Sequence, residues 1–275
     1  MGDRITSGER LPGSSTSSLY RLTTVGGFGF VLRRYDRPAF LRSEPQAPTR
    51  EIAVLELLDG RAGAPEVIAA DVDGRSCGEI VVLTTWVPGH PGPHAPPWPE
   101  SAAEALAAIH AVEAGALPHT YRRYAAGTAL RPPRWSTRPE LWSRAFDIAA
   151  GAPEPVPRFI HRDYHHGNTL WDGSRLGVVD WASACGGPAA VDPARFRINL
   201  HLAGRPDLEP AFVEAYLRST GDEPDPCWDV VDAVDMLPWD EGEPAVARWR
   251  GPPGVTGPGA RERLEGFLAR SLASC

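Results

Sequence analysis

The sequence predicts an α+β protein of two lobes, a β-rich N-terminal lobe followed by a mostly helical C-terminal one. Three observations predict it. Strand-like alternation fills the first third, a run of proline and glycine interrupts the pattern at residues 88–97, and apolar residues at helical spacing dominate the remainder. A chain of 275 residues is long enough for two lobes sharing one site, and the boundary is expected between residues 1–87 and 88–275.

The elements come in order. Residues 19–24 and 28–35 alternate like strands, and Gly26-Gly27 between them marks a hairpin turn. Pro45 and Pro48 read as a loop. Ile52, Leu55 and Leu58 then stand at helical spacing over residues 50–58, and Gly60 ends that helix. Residues 67–71 and 79–86 are two further strands, and 88–97 is too rich in proline for regular structure. An Ala-rich helix spans 100–112 with Leu106 and Ile109 on one face, and another spans 141–150 after a Pro/Arg-rich loop. Short β-like pieces occupy 158–161, 169–171 and 176–180. Helical patterns return at 191–203, 209–219, 226–236 and 261–273.

Composition narrows the function. Hydrophobic residues make up 42% and charged residues 23%, the balance of a soluble protein that forms a core. The net charge of −7 argues against nucleic acid or an anionic membrane as the main partner. No apolar run approaches the length of a bilayer span, and no basic start followed by an apolar segment marks a secretory leader. Cys77, Cys185, Cys227 and Cys275 are scattered without a CxxC pair, so no disulfide is expected and a reducing, cytoplasmic setting is. All 28 basic side chains are arginine. Any site that ordinarily uses lysine must use arginine here.

The chemistry concentrates in residues 159–168, Phe-Ile-His-Arg-Asp-Tyr-His-His-Gly-Asn, and 177–181, Gly-Val-Val-Asp-Trp. Phosphoryl transfer asks little covalent help of a protein. It needs a carboxylate to orient the attacking hydroxyl and hard oxygen ligands to hold Mg²⁺ against nucleotide phosphates. A loop presenting Asp163 and Asn168, beside a strand end presenting Asp180, supplies those groups.

In these residues the chain resembles the aminoglycoside phosphotransferases and their small-molecule kinase relatives. Their catalytic loop runs His-Gly-Asp-Leu-His-x-Gly-Asn and their metal strand ends Ile-Asp-Trp. Here His161, Asp163, His165, Gly167, Asn168, Asp180 and Trp181 fall on those places, while Arg162, Tyr164 and His166 depart from the usual Gly, Leu and Pro. The resemblance implies a protein-kinase-like fold, Asp163 as catalytic base, and Asn168 and Asp180 as Mg²⁺ ligands. ATP or GTP is the implied phosphoryl donor.

The same resemblance places the remaining nucleotide-binding parts. Ser14, Ser15, Thr16 and Ser17 lie where a phosphate-covering loop would sit, with small side chains that let backbone N–H groups approach phosphate. Arg33 stands at the phosphate-binding position on its strand. It alternates to the face of Val31 and Tyr35 while Arg34 points the other way, so Arg33 is preferred. Glu51 on the next helix is its expected ion-pair partner. Thr84, Thr85 and Trp86 form the segment whose backbone would meet the nucleobase. His110 is expected to pack, and Asp192 to secure helix and loop.

The acceptor is less legible. No basic residue occurs from position 219 to 247, yet acids crowd the stretch from Asp222 to Glu243. Asp232, Asp235, Asp240 and Glu241 are candidates to bind a cationic acceptor, an amine-bearing alcohol of the aminoglycoside type, with Trp228 and Trp239 as walls. A solvated acidic helix face is the competing interpretation. Metabolic kinases for choline, homoserine or sugars share every donor-side motif, so antibiotic resistance is one option among several. Two other classes are a nucleotide-binding pseudokinase without turnover and a hydrolase whose His161, Asp163, His165 and His166 ligate a transition metal. Oligomeric state is left open.

Overall fold

The protein is described by a computed structural model covering residues 3–12, 14, 16–113, 119–126, 129–152, 156–237 and 258–275. Strands β1 (Ile5–Leu11), β2 (Ser18–Thr24), β3 (Gly29–Arg34), β4 (Val67–Asp71) and β5 (Val81–Thr85) form one antiparallel sheet in the order β1-β2-β3-β5-β4. The register sets Leu19 opposite Arg33 and Arg33 opposite Val82, so these side chains share one face. Val82 packs there with Tyr35 and Ala47 in a small apolar cluster.

Helix α1 (Pro38–Ser43) is not foreshadowed by the sequence pattern, and α2 (Ala47–Leu58) starts earlier than its apolar spacing suggests. Pro48 belongs to the first turn of α2 and not to a loop, since its missing N–H leaves no helical bond unmade there. Asp59, with φ of 48°, caps the other end in the left-handed conformation.

Helices α3 (Trp98–His110), α4 (Pro139–Ala150), α5 (Val191–Leu202), α6 (Glu209–Thr220), α7 (Pro226–Asp235) and α8 (Pro258–Ser274) build the rest. Two apolar clusters hold them. Leu141, Trp142, Ile198, Val231 and Phe267 join α4, α5, α7 and α8. Leu106, Ile109, Phe159, Trp181 and Phe196 form the other, and it takes in Val54, Leu55 and Leu58 of α2. Burying each such side chain favours the folded state by about 1.5–3 kcal/mol. This shared cluster therefore presses α2, and the sheet behind it, onto the helical part.

Short strands frame the site. β7 (Arg158–Ile160) pairs with β10 (Cys185–Gly187), while β6 (His90–Pro91), β8 (Thr169–Trp171) and β9 (Leu176–Val178) make a three-stranded sheet. The expectation that 88–97 holds no regular structure thus fails at His90–Pro91. An edge strand tolerates proline because its N–H is not needed by a neighbour.

The expected absence of disulfides is also overturned. Packing of α8 on α7 brings Cys227 and Cys275 together, with Cα atoms 5.0 Å apart, and they are joined. Spacing along the chain could not reveal it, because 48 positions separate them. Among the described residues, no helix is long and apolar enough to cross a membrane.

Candidate active site

The 161–168 loop is anchored before any functional side chain is considered. Asp192, in the first turn of α5 and 0% exposed, accepts the backbone N–H of His161 at 2.8 Å and of Arg162 at 2.7 Å. His110 reaches the same carboxylate through Nε2 at 3.1 Å, while its Nδ1 meets the Tyr216 hydroxyl at 3.0 Å. Those partners make Nε2 the protonated nitrogen and Nδ1 the acceptor. Asp192 therefore secures helix and loop as expected, and His110 braces it through hydrogen bonds as well as packing.

His161 is turned inward. Its Nε2 meets the Val179 carbonyl at 3.0 Å and its Nδ1 accepts the Asp163 N–H at 3.3 Å. Burial pushes its pKa down, so the ring stays neutral with the tautomer those partners require. Both nitrogens are engaged, which leaves His161 none for a metal. Among the described residues no three His, Cys, Asp or Glu side chains converge on a metal position, and the hydrolase interpretation loses its ligand set.

Asp163 keeps its carboxylate 36% exposed. Burial of its surroundings works to raise its pKa, but His165 first, then Arg195 and His161, hold it below the ordinary range. It is an anion at neutral pH. His165 Nε2 lies 3.5 Å from Oδ2, and Asn168 donates from Nδ2 to the Asp163 carbonyl at 3.0 Å and to Oδ2 at 3.4 Å. Asn168 is held in turn by backbone bonds to His165 and to Val179, the neighbour of Asp180.

Asp180 adopts φ of 67° at the end of β9, in the left-handed region that side chains other than glycine seldom occupy. Trp181 secures the turn: its indole donates to the Val178 carbonyl at 2.9 Å and packs on the Phe159 and His161 rings. Arg50 of α2 donates to the Ala182 carbonyl at 2.6 Å, tying the same turn to the sheet side.

Arg33 closes the gap between the two parts. Its Nη2 lies 3.1 Å from Asp180 Oδ1, its Nε 3.2 Å from Glu51 Oε1, and its Nη1 donates to Ser17 Oγ at 3.2 Å. Burial works against a charged guanidinium, yet the two carboxylates more than compensate and raise its pKa. The Tyr35 hydroxyl donates to Glu51 Oε2 at 2.6 Å, a supporting contact that strand alternation does not announce although it puts Tyr35 on the Arg33 face. Arg34 points outward to Glu79. Geometry thus favours Arg33 over Arg34.

Ser14 and Ser17 bond one another through their hydroxyls at 2.9 Å in the β1–β2 connection, next to Arg33. Thr16 lies beside them; Ser15 is outside the described residues. The segment expected to meet a nucleobase lies at the end of β5. The Thr85 N–H donates to the Glu66 carbonyl and the Trp86 N–H to the Gly29 carbonyl, so both donors are engaged in the sheet. Thr84 is buried within the ladder. The Glu66 N–H goes to the Thr85 hydroxyl at 2.9 Å, which leaves the Thr85 carbonyl available. Val87 offers the first N–H beyond the ladder with no partner among the described residues. Gly177 lets β9 pass this close, since a Cβ there would meet Val87 Cγ1 at 2.2 Å.

Within the acidic stretch, Asp222, Glu223 and Asp225 are exposed to solvent, whereas the acids inside α7 are buried. Asp229, Asp232 and Asp235 recur every third residue of α7 and turn inward to Arg197, Arg195 and Arg123. Asp235 also caps the Tyr124 and Ala125 N–H groups at 3.0 and 3.2 Å. Asp232 leaves Oδ2 without a partner among the described residues, and burial pushes its pKa up to about 7. Trp228 is buried beside Tyr121. Asp240, Glu241 and Trp239 lie outside the described residues.

Comparison with known proteins now decides the family. Residues 7–250 match the model of the phosphotransferase enzyme family, which includes the aminoglycoside phosphotransferases. The chain belongs to that family. Solved structures agree on its protein-kinase-like fold. Aminoglycoside phosphotransferase APH(4)-Ia matches with a TM-score of 0.66 at 16% identity, over 98% of this chain and 94% of that one. A putative fructosamine-3-kinase from Thermobifida fusca YX-ER1 gives 0.59 at 21% identity, over 99% and 95%. Macrolide 2'-phosphotransferase MphH from Brachybacterium faecium gives 0.54 at 16% identity, over 99% and 88%. No curated protein matches the sequence. At these identities the neighbours establish the phosphotransferase fold and leave the acceptor undefined.

Proposed function

We propose that this phosphotransferase moves the γ-phosphoryl group of ATP to a hydroxyl of a small molecule, with residues 1–87 and 88–275 as the two lobes that enclose the site. The carrying observation is one connected set of polar contacts. It runs from Ser17 through Arg33, which Glu51 also holds, to Asp180, and from its neighbour Val179 through the Val179–Asn168 backbone bond to Asp163.

Each group has a task in that reaction. Arg33, held by Glu51, faces the nucleotide phosphates, and Ser14, Thr16 and Ser17 cover them with small polar groups. The Thr85 carbonyl and the Val87 N–H present an acceptor and a donor that match the amino group and ring nitrogen of adenine. Asn168 uses Nδ2 on Asp163 and so keeps Oδ1 for another partner, while Asp180 commits Oδ1 to Arg33 and keeps Oδ2. Two hard oxygens suit Mg²⁺, which retains water and binds phosphate. Bound there, Mg²⁺ would neutralise charge on the phosphates. Asp163 orients the acceptor hydroxyl and takes its proton as the hydroxyl oxygen bonds to the γ-phosphorus and the bond to the bridging β-phosphate oxygen breaks, releasing ADP.

Support for the nucleotide comes from a neighbour solved as a ternary complex with ADP and hygromycin B. The acceptor class follows the family only as far as a hydroxylated small molecule, since the neighbours' names span aminoglycoside, macrolide and fructosamine. The test is an ADP-release screen over antibiotics and metabolite alcohols, run with Asp163→Ala and Asp180→Ala. Asp163→Ala should abolish transfer while nucleotide affinity stays within about threefold, and Asp180→Ala should weaken Mg-ATP binding. Full turnover in either variant contradicts the assignment.

A further inference from the structure

Residues 119–126 lie against the loop that carries Asp163, and several unrelated contacts hold them there. The His119 carbonyl and the Tyr121 N–H bond to Gly186 of β10 at 3.1 and 2.8 Å. Tyr121 stands on the bare Cα of Gly187, where a Cβ would come within 2.7 Å of its own. Asp235 caps Tyr124 and Ala125 and pairs with Arg123. Arg162 completes the set. Its guanidinium lies between two rings, with Cζ 3.9 Å from the Tyr124 centroid and 4.6 Å from that of Tyr121, and Nη2 donates to the Arg122 carbonyl.

Arg162 does this from an unfavourable backbone. Its φ is 69°, a conformation in which glycine is free and a β-carbon is strained. It is also 6% exposed, and a guanidinium is costly to bury without partners. Both penalties persist because the side chain is engaged on every side: two π faces, one carbonyl, and a main-chain N–H fixed by Asp192. Burial pushes the Tyr124 phenol up, Arg162 opposes and Asp163 reinforces, so the ring sits within the field of both.

We propose that Arg162 is a positioning residue: it clamps the 119–126 segment onto the 161–168 loop and thereby fixes the direction in which Asp163 presents its carboxylate. This rests on Asp163 being the group that orients the acceptor hydroxyl.

Arg162→Gly separates the clamp from mere tolerance of strain, because glycine suits the backbone better while removing the side chain. The full-length variant is compared with wild type by hydrogen exchange read by mass spectrometry, by ATP titration, and by ADP formation with water and a panel of hydroxylated acceptors. Exchange over 119–126 is expected to rise at least tenfold. ADP formation should fall tenfold or more, with half-saturating ATP unchanged within twofold. Arg162→Lys, which keeps the charge but not the planar stack, should recover less than half of the lost rate. Tyr121→Leu should give the same two changes at smaller amplitude, and it serves if the glycine variant misfolds.

Unchanged exchange over 119–126, or raised exchange with undiminished ADP formation, overturns the proposal. Wild type that forms no ADP with any acceptor or with water overturns the phosphotransfer function and the positioning role with it. Exchange would still assign the clamp in that case.

Discussion

Asp192→Ala tests whether the catalytic loop is held from behind by a single buried carboxylate. That carboxylate is 0% exposed and accepts three hydrogen bonds, from the His161 and Arg162 N–H groups and from His110 Nε2. Alanine leaves two backbone donors and one ring donor buried and unsatisfied, at about 1–3 kcal/mol each. Relief from burying a charge offsets part of this, so a net loss of about 4 kcal/mol is expected. In a chain of this size each kcal/mol moves the unfolding midpoint by roughly 2–4 °C, which predicts a fall of about 10 °C. Asp192→Asn retains one acceptor oxygen but turns an NH₂ toward a donor, and should lose about half as much. Thermal unfolding by circular dichroism reads the midpoint, and ADP release at a permissive temperature reads the loop. A midpoint within 2 °C of wild type for the alanine variant, or undiminished ADP release, would refute the bracing role of Asp192.

Three further outcomes concern other contacts. Arg33→Met leaves Glu51 buried with Tyr35 as its remaining partner, so stability should drop by about 3–5 kcal/mol and ATP affinity more than tenfold; calorimetric titration with unchanged ATP affinity would remove Arg33 from the nucleotide site. Asp71 has its pKa lowered from 3.8 to about 2, first by the Cys77 N–H and then by that of Ser76. A depressed folded pKa means its contribution is complete above the unfolded value and lost as pH falls from about 4 to 2; amide exchange at Ser76 and Cys77 should accelerate over that window in wild type and show no such pH step in Asp71→Asn. Cys227→Ser opens a crosslink between residues 48 apart, worth up to about 4 kcal/mol by the chain-entropy relation; its midpoint should fall and become insensitive to dithiothreitol, and a wild type equally insensitive would mean the bond contributes nothing.

Legibility varied with the range of the interaction. The hairpin at Gly26-Gly27, the strand at Val67–Asp71 and the helices at Val191–Leu202 and Glu209–Thr220 follow from alternation and spacing within a dozen residues, and they stand where those patterns put them. Arg33 was distinguishable from Arg34 for the same reason, since side chains on a strand change face at every step. The uncommitted Thr85 carbonyl and Val87 N–H at the end of β5 were not legible, because a sequence does not say which N–H groups the neighbouring strands will claim. The pairing of the α7 acids was not legible, because nothing local announced that Arg123, Arg195 and Arg197 would meet them.

The sequence by itself determined most of the strands and helices and the phosphotransferase family, because pleat and helix repeat over short distances and the loop motif is contiguous. Tertiary structure alone decided the meeting of Arg33 with Asp180 across 147 positions, the Cys227–Cys275 bond and the seat of Arg162 between two tyrosines. Such contacts depend on how apolar faces bury against one another, and periodicity along a chain specifies a face without naming its partner.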